Sequence, residues 1–338
     1  MDQQNGLFGF LENHVMGPMG KLAQFKVVRA ITAAGMAAVP FTIVGSMFLV
    51  FSILPQAFSF WPIVADIFSA SFDKFTSLYM VANYATMGSL SLYFVLSLAY
   101  ELTKIYAEEE DLNMNPLNGA LLSLMAFIMT VPQIIFDGGM RKAVTSLEEG
   151  AVVADGWAMG NGVTRFGTTG IFTAIIMAIV TVLIYRTCVK RNWVIKMPDG
   201  VPPAVTQSFA ALIPSAFAMF FFFVVYLVFS ATDYQYAHNF IYKILQAPLM
   251  GFGQSLIFEP IYQFLSTLFW FFGINGPAVT NTVFNPIHLA LTAENLEAFK
   301  QGATLPNIFT GPFGDFFGNF LSKIDDIITL FSEKFHDF

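Results

Sequence analysis

Cysteine and charged residues are both scarce in this chain of 338 residues. The single cysteine, Cys188, excludes an internal disulfide, a cysteine-cluster metal site and a C-x-x-C redox pair. Lys, Arg, Asp and Glu together make up 12% of the chain, whereas soluble domains carry about 25%. A soluble globular domain therefore matches this composition poorly.

Motifs typical of pumps and enzymes are missing as well. The sequence contains no phosphate-binding glycine loop, no nucleotide fingerprint, no zinc-ligand spacing and no nucleophile elbow. We therefore expect neither an ATP-driven pump nor self-contained catalysis, and we predict no catalytic, cofactor-binding or metal-binding residues. No sizeable basic patch is present, which disfavours a nucleic-acid partner.

Apolar residues are abundant instead. They account for 56% of the chain, and 40 residues are Phe, far more than one soluble core of this size needs. Hydrophobic stretches of roughly 20 residues are what a helix requires to cross a bilayer. The composition predicts an all-α, polytopic integral membrane protein embedded in the lipid bilayer.

Six stretches are apolar and long enough to be transmembrane spans. They lie at about 30–54, 76–103, 117–136, 167–187, 207–230 and 254–273. Two further segments, 5–28 and 231–250, are amphipathic or interrupted and predict interfacial helices on the membrane surface. The amphipathic tail, 321–338, is too short and too charged to span.

Positive charges predict which side of the membrane each loop occupies. With the N-terminus inside, the inner segments hold eight cations and the outer segments hold four. The inner set is Lys21, Lys26, Arg29, Lys104, Arg186, Lys190, Arg191 and Lys196, and the outer set is Lys74, Arg141, Lys142 and Arg165. We therefore expect a multi-pass protein with a cytoplasmic N-terminus.

The segment "FWFFGINGPAVTNTVFNPIH" at 269–288 interrupts an apolar span with amides, hydroxyls and prolines. Irregular backbone at membrane depth is tolerated only where it is buried in protein or lines a water-filled cavity. The mixture of amides and aromatic rings suits a sugar, and an ordinary extramembrane loop is the alternative. The candidate ligands here are Trp270, Asn275, Gly276, Thr280, Asn281, Asn285 and His288.

Glu259 is the one charged residue between Lys243 and Glu294. A carboxylate inside a span is costly and is usually functional or paired. We add Glu259 to the candidate substrate-binding residues, with an interfacial position near the start of the span as the alternative. His288 also has two interpretations: it binds substrate, or it simply lies at the end of a segment.

Four stretches together resemble a known family. They are "LENHVMGPMGKLAQFKVVRAITAAGMAAVPFTIVGSMFLV" near the N-terminus, "RFGTTGIFTAIIMAIVTVLIYR", "IKMPDGVPPAVTQSFAALIPSAF" and "WFFGINGPAVTNTVFNPIHLAL". Over about residues 1–320 the chain resembles the EIIC permease of the bacterial phosphoenolpyruvate-dependent sugar phosphotransferase system (PTS), in its lactose/cellobiose/diacetylchitobiose branch.

This resemblance implies a function and a set of partners. Members import a β-linked disaccharide through the cytoplasmic membrane, and a phosphocysteine of EIIB phosphorylates it, with EIIA and HPr upstream. The absence of an EIIB-type cysteine motif implies that EIIB is a separate protein. The implied fold is a helical homodimer with a dimer-forming half, here 1–253, followed by the start of a sugar-binding half with a re-entrant hairpin, here 254–320.

The chain departs from the family pattern in two places. Many members have His where this sequence has Asn275, an amide that can bind a hydroxyl but does not titrate near neutral pH. The Gly-Gly-Ser-Gly and Asn-Glu-Pro segments expected further on do not occur, so the chain looks truncated after Phe320. A non-transporting remnant or scaffold that only dimerises is therefore the alternative to a disaccharide permease.

Overall fold

A computed structural model describes residues 24–57, 61–130, 134–137, 140–143, 153–154, 166–198, 200–234 and 236–271, together with scattered positions between 280 and 307. Its regular structure is predominantly helical, as the composition predicts. The chain divides into two compact units, Lys21–Leu245 and Gln246–Phe338 with Met1–Gly20. The predicted interfacial helix at 5–28 lies mostly outside the described residues, as does the tail at 321–338.

The described part of the first unit contains eight α-helices up to residue 230. They are α1 (Lys26–Ala57), α2 (Pro62–Phe72), α3 (Thr76–Ala85), α4 (Leu90–Glu109), α5 (Pro116–Thr130), α6 (Ile171–Lys190), α7 (Pro203–Ala210) and α8 (Leu212–Ser230). Short 3₁₀ turns lie at Asp73–Phe75, Met87–Ser89 and Thr168–Gly170.

Helix α4 is the centre of this unit and packs against α1, α5 and α6. Its buried side chains recur every three or four residues along two adjoining rows, as a helix surrounded by neighbours requires. They are Leu90, Ser91, Phe94, Val95, Leu98, Ala99, Leu102, Thr103 and Ile105. Gly119 of α5 contacts Thr103 so closely that a methyl group at Gly119 has no room.

Among the described residues, three segments are long and apolar enough to cross a membrane, namely Lys26–Gly45, Ile171–Lys190 and Val205–Ser230. They overlap the predicted first, fourth and fifth spans. The apolar stretch within Ile171–Lys190 is 56% buried, against 17% in Val205–Ser230. Val205–Ser230 therefore presents most of its apolar surface outward, as a lipid-facing helix does.

The predicted span at 76–103 is wrong as one continuous helix. The backbone leaves the helical conformation at Thr86, and the 3₁₀ turn Met87–Ser89 separates α3 from α4. Thr86 also lies in close contact with Gly45 of α1. This approach is possible because glycine has no β-carbon. Helix α4 then continues six residues beyond the predicted end, to Glu109.

The predicted span at 117–136 is also shorter than expected. Helix α5 ends at Thr130, and Val131-Pro132 follows in sequence, where proline disfavours helical backbone at the preceding residue. A three-stranded antiparallel sheet of β1 (Ile134–Asp137), β2 (Met140–Ala143) and β3 (Val153–Ala154) comes next, in the order β2-β1-β3. Asp137 pairs with Met140, and Gly138-Gly139 between them is typical of a two-residue hairpin.

Charged residues from three helix ends meet in one cluster, which we call the ion cluster. Arg186 of α6 donates a hydrogen bond of 2.9 Å to Glu110, just beyond the end of α4, and Lys26 of α1 donates one of 3.0 Å to the same carboxylate. Arg29 pairs with Glu109. The start of α1 and the ends of α4 and α6 therefore lie at the same end of this unit.

After α8 the chain forms α9 (Ala237–Ile241), a π-helical turn (Tyr242–Gln246) and α10 (Ala247–Gly253). The segment predicted as one interfacial helix at 231–250 is thus helical from Ala237 with a π-bulge inside it. Helix α11 (Phe258–Phe271) follows, and it begins four residues later than the predicted sixth span. The described residues between 280 and 298 are helical as well.

Candidate functional site

A buried carboxylate and a buried imidazole face each other in the second unit. Glu259 lies in the first turn of α11, and His288 lies in the helical segment that follows residue 280. Glu259 Oε1 and His288 Nε2 are 2.6 Å apart, and the two residues are 4% and 6% exposed. Glu259 is therefore a buried, paired carboxylate, while its depth in the membrane, and with it the interfacial alternative, stays a prediction.

Aromatic rings enclose this pair. The ring of His288 makes edge-to-face contacts with Phe258 and Tyr262, at centroid distances of 5.3 Å and 5.6 Å. Phe284 lies 4.9 Å from Phe258 and 5.2 Å from Tyr262. These rings exclude water, so the electrostatic attraction between an acid and a base is stronger here than at a surface.

Local sequence spacing explains the enclosure. Tyr262 follows Glu259 by three residues in α11, and Phe284 precedes His288 by four, so each pair lies on one helix face. Both aromatic residues are absent from the residues predicted from sequence. Their helical spacing from Glu259 and His288 is the signal that could identify Tyr262 and Phe284. It becomes usable only when Glu259 and His288 are known to be in contact.

The second oxygen of Glu259 has no hydrogen-bond partner among the described residues. Glu259 Oε2 is fully buried, and only Oε1 is paired with His288. An unpaired buried acceptor costs about 1–3 kcal/mol, and more when it is charged. A hydroxyl donor reaching Oε2 would remove that cost.

A further polar contact lies on the same two segments. The hydroxyl of Tyr262 donates a hydrogen bond of 2.8 Å to Asn281 Oδ1. Asn281 is exposed, whereas Thr280 is 4% exposed. The structure thus brings Glu259, His288 and Asn281 onto two adjacent segments, linked by Tyr262.

The other predicted ligands cannot be placed in this arrangement. Asn275, Gly276 and Asn285 lie outside the described residues, and the side chain of Trp270, in α11, is likewise not described. Their roles remain predictions. Within the described part of the chain, no three His, Cys, Asp or Glu side chains come together as a metal site would require.

Asn307 ties together the elements that carry the pair. Its side-chain nitrogen donates to the carbonyl of Leu291 and to Glu294 Oε2, and its Oδ1 accepts from Gln254 just after α10. Its backbone forms a reciprocal pair of hydrogen bonds with the Asn295 side chain. This buried amide, which sequence reasoning missed, fixes the helical segment that bears His288.

Close packing also supports the same segment. A β-carbon at Gly253, the last residue of α10, would lie 2.6 Å from Ile287 Cγ2 and 2.9 Å from Leu291 Cδ1. Real β-carbons do not approach other atoms so closely. Any larger residue at position 253 would therefore force Ile287 or Leu291 to shift.

Comparison with known proteins supports the resemblance seen in the sequence. The family model described as "Phosphotransferase system, EIIC" matches residues 33–322. The oligo-beta-mannoside-specific EIIC component of Bacillus subtilis (strain 168) is 34% identical over 87% of this chain and 61% of that protein. The cellobiose-specific EIIC component of Geobacillus stearothermophilus is 34% identical over 90% of this chain and 64% of that protein.

The fold agrees with these sequence matches. The crystal structure of the transporter ChbC, the IIC component of the N,N'-diacetylchitobiose-specific phosphotransferase system, aligns with a TM-score of 0.77 and 32% identity. That alignment covers 90% of this chain and 66% of ChbC. The chain thus spans just under two thirds of the length of the relatives it matches. It belongs to the EIIC family of the phosphotransferase system.

Proposed function

We propose that this protein is the membrane permease component of a PEP-dependent sugar phosphotransferase system. Its substrate is a β-linked disaccharide such as cellobiose, lactose or diacetylchitobiose, which it translocates across the bacterial cytoplasmic membrane. Family membership supports the permease role, and the relatives named for cellobiose and diacetylchitobiose support this class of sugar.

The buried Glu259–His288 pair is the observation that carries the proposal. Sugar recognition needs hydroxyl acceptors beside apolar ring faces. Glu259 Oε2 is an acceptor with no partner among the described residues, and Phe258, Tyr262 and Phe284 supply aromatic walls. In this arrangement His288 holds the carboxylate through Oε1, and Oε2 accepts a hydrogen bond from a sugar hydroxyl.

The remaining predicted ligands extend this site along the polar segment. Asn281 is exposed, and its Oδ1 accepts the hydrogen bond from Tyr262. Its amide nitrogen can therefore donate to a second hydroxyl of the sugar. We assign sugar contacts to Thr280, Asn275, Gly276 and Asn285 on the basis of the family resemblance. Trp270, near the end of α11, provides a face for a pyranose ring.

The phosphoryl donor is an EIIB component, supplied in turn by EIIA and HPr. The one cysteine of the chain, Cys188, is 2% exposed and packs among apolar residues, so its thiol is poorly placed to accept a phosphoryl group from a partner. Three relatives are named lactose-specific EIICB components, which supports a partnership between EIIC and EIIB. We further infer a homodimer and a cytoplasmic N-terminus.

Calorimetry on the purified chain in detergent tests the proposal. Cellobiose, lactose and diacetylchitobiose are titrated into the wild type and into Glu259→Gln, which keeps the side-chain shape but removes the charge. We expect at least one disaccharide to bind, with affinity reduced at least tenfold in the variant. A chain that only dimerises as a scaffold would bind none of these sugars, even when size-exclusion chromatography shows an intact dimer.

A further inference from the structure

An apolar groove lies at the end of α6, far in sequence from the proposed sugar ligands. Its volume is about 320 Å³, near the lower end of the range for ligand pockets. Its walls are side chains of α6 and α8, with one residue from the turn after α6. They include Val180, Leu183, Thr187, Trp193, Phe217 and Phe221.

Both walls belong to helices that are long and apolar enough to cross a membrane. Leu183, Phe217 and Phe221 are 37%, 47% and 44% exposed. The Thr187 hydroxyl donates to the carbonyl of Leu183, so it is satisfied within its own helix. The Thr187 hydroxyl therefore does not need a partner in the groove. The groove offers an apolar surface of the kind that a lipid acyl chain contacts.

The chain reversal after α6 places a tryptophan at the mouth of the groove. Asn192 adopts φ 57°, its N–H donates to the carbonyl of Val189, and the Trp193 N–H donates to the carbonyl of Cys188. These two bonds and the left-handed residue form a Schellman motif, which ends the helix and folds the next side chain back. The Trp193 ring stacks on Phe217 at 5.5 Å.

A cation stands directly over this tryptophan. The guanidinium carbon of Arg191 is 5.2 Å from the centre of the Trp193 ring, and Arg191 forms no ion pair with any described residue. Lys190, by contrast, approaches Glu110 at 3.8 Å. The sequence contains no Asp or Glu between 156 and 198, so no acidic side chain of this segment opposes a phosphate at Arg191.

We propose that this groove binds an anionic phospholipid. One acyl chain lies along Val180, Leu183 and Phe221, Trp193 marks the headgroup level, and Arg191 pairs with the phosphate of a headgroup that has no cation of its own to offset that charge. A tryptophan at the interface and a cation that reaches the headgroups are the usual anchors for this arrangement. The cation at the rim is what favours an anionic lipid over a second copy of the chain as the occupant of the groove.

Native mass spectrometry of the detergent-purified protein tests the site. Phosphatidylglycerol and phosphatidylcholine with the same acyl chains are titrated, and the affinity for the first bound lipid is compared. We expect phosphatidylglycerol to bind about fivefold more tightly, as one cation near a headgroup provides. Arg191→Ala should abolish that preference.

Two further variants make the test specific. Lys104→Ala removes another exposed cation, near the end of α4, that lies outside the groove, and it should keep the preference for phosphatidylglycerol. Val180→Trp fills the groove and should weaken binding of both lipids. Equal affinity for the two lipids in the wild type, or equal effects of Arg191→Ala and Lys104→Ala, would overturn the proposal. So would a Val180→Trp variant that changes only the oligomeric state, because a second copy would then cover the groove.

Discussion

Glu259 and His288, 29 residues apart in sequence, approach within 2.6 Å inside an aromatic enclosure. Removing one member of a buried polar pair leaves the other without its partner, which destabilises the fold. The pair thus has a structural role, through Oε1, and a proposed binding role, through Oε2. Variants at the two positions separate these roles.

The structural role predicts strong non-additivity between the two side chains. Glu259→Ala and His288→Ala should each lower the free energy of unfolding by about 3–5 kcal/mol, because each leaves a buried polar partner unpaired. The double variant should be less destabilised than the sum, by about 0.5–3 kcal/mol. Unfolding of all four proteins in mixed micelles measures this coupling, and additive effects would show that the pair does not form.

The hydrogen bond from Tyr262 to Asn281 predicts a smaller, local effect on sugar affinity. Tyr262→Phe keeps the ring contacts with Phe284 and His288 and removes only the hydroxyl. If Asn281 is held for the sugar by that bond, cellobiose affinity should fall about fivefold, equivalent to about 1 kcal/mol. Titration calorimetry gives the affinity.

Tyr93→Phe is the matched control for this variant. The Tyr93 hydroxyl donates to the carbonyl of Ala85 at 2.7 Å, in the other unit of the chain. The Tyr93→Phe variant loses a comparable hydrogen bond and should leave the affinity for cellobiose unchanged. Equal losses in the two variants would mean that the effect of Tyr262 is one of general stability.

Two glycines of α10 predict opposite changes in stability. Gly253→Ala places a methyl group against Ile287 and Leu291, which should cost about 1–3 kcal/mol through overpacking. A methyl group at Gly251 would meet no neighbouring side chain of the described residues within 4 Å, so Gly251→Ala should stabilise by up to about 1 kcal/mol through helix propensity. Thermal unfolding midpoints compare them. A neutral Gly253→Ala would show that α10 does not press on the segment bearing His288.

The ion cluster predicts a stability loss in acid. Hydrogen bonds from Arg186 and Lys26 lower the pKa of Glu110 from 4.5 to about 2. Because the folded-state pKa is depressed, the unfolded chain binds more protons between these values. The contribution of Glu110 is therefore complete above about pH 4.5 and is lost as the pH falls toward 2.

Glu110→Gln should accordingly be less stable than wild type at pH 7, and the difference should shrink as the pH is lowered through 4.5. Glu108 is exposed and forms no ion pair with a described residue, so Glu108→Gln is the control. Unfolding midpoints between about pH 7 and pH 3 provide the comparison. A constant difference between Glu110→Gln and wild type would contradict the role given to the cluster.

The sequence predicts the helical membrane class and three of the long spans because long apolar runs carry that information directly. It does not predict the break at Thr86, since the run 76–103 stays apolar and the turn depends on the close contact with Gly45. The hairpin after α5 does have a sequence signal, which is Pro132 followed by Gly138-Gly139. A prediction of spans from hydropathy alone does not use that signal.

For the candidate site, the sequence is enough to propose Glu259 and His288 as ligands but not to predict that they pair with each other. A lone carboxylate in an apolar run stands out, whereas its partner depends on how two helical segments pack. The aromatic walls and Asn307 have no such signal, because Phe and Asn are common throughout this chain. The ion cluster escapes prediction because its members are 76 to 84 residues apart in sequence.

Binding of cellobiose, lactose and diacetylchitobiose to the purified wild type and to Glu259→Gln, measured by calorimetry, tests the central claim most directly. We predict that at least one disaccharide binds the wild type and that its affinity falls at least tenfold in the variant, while the variant elutes as the wild type does on size exclusion. Equal affinity in the two proteins would contradict the role of Glu259 Oε2. No binding of any of the three sugars to the folded wild type would contradict the proposed function itself.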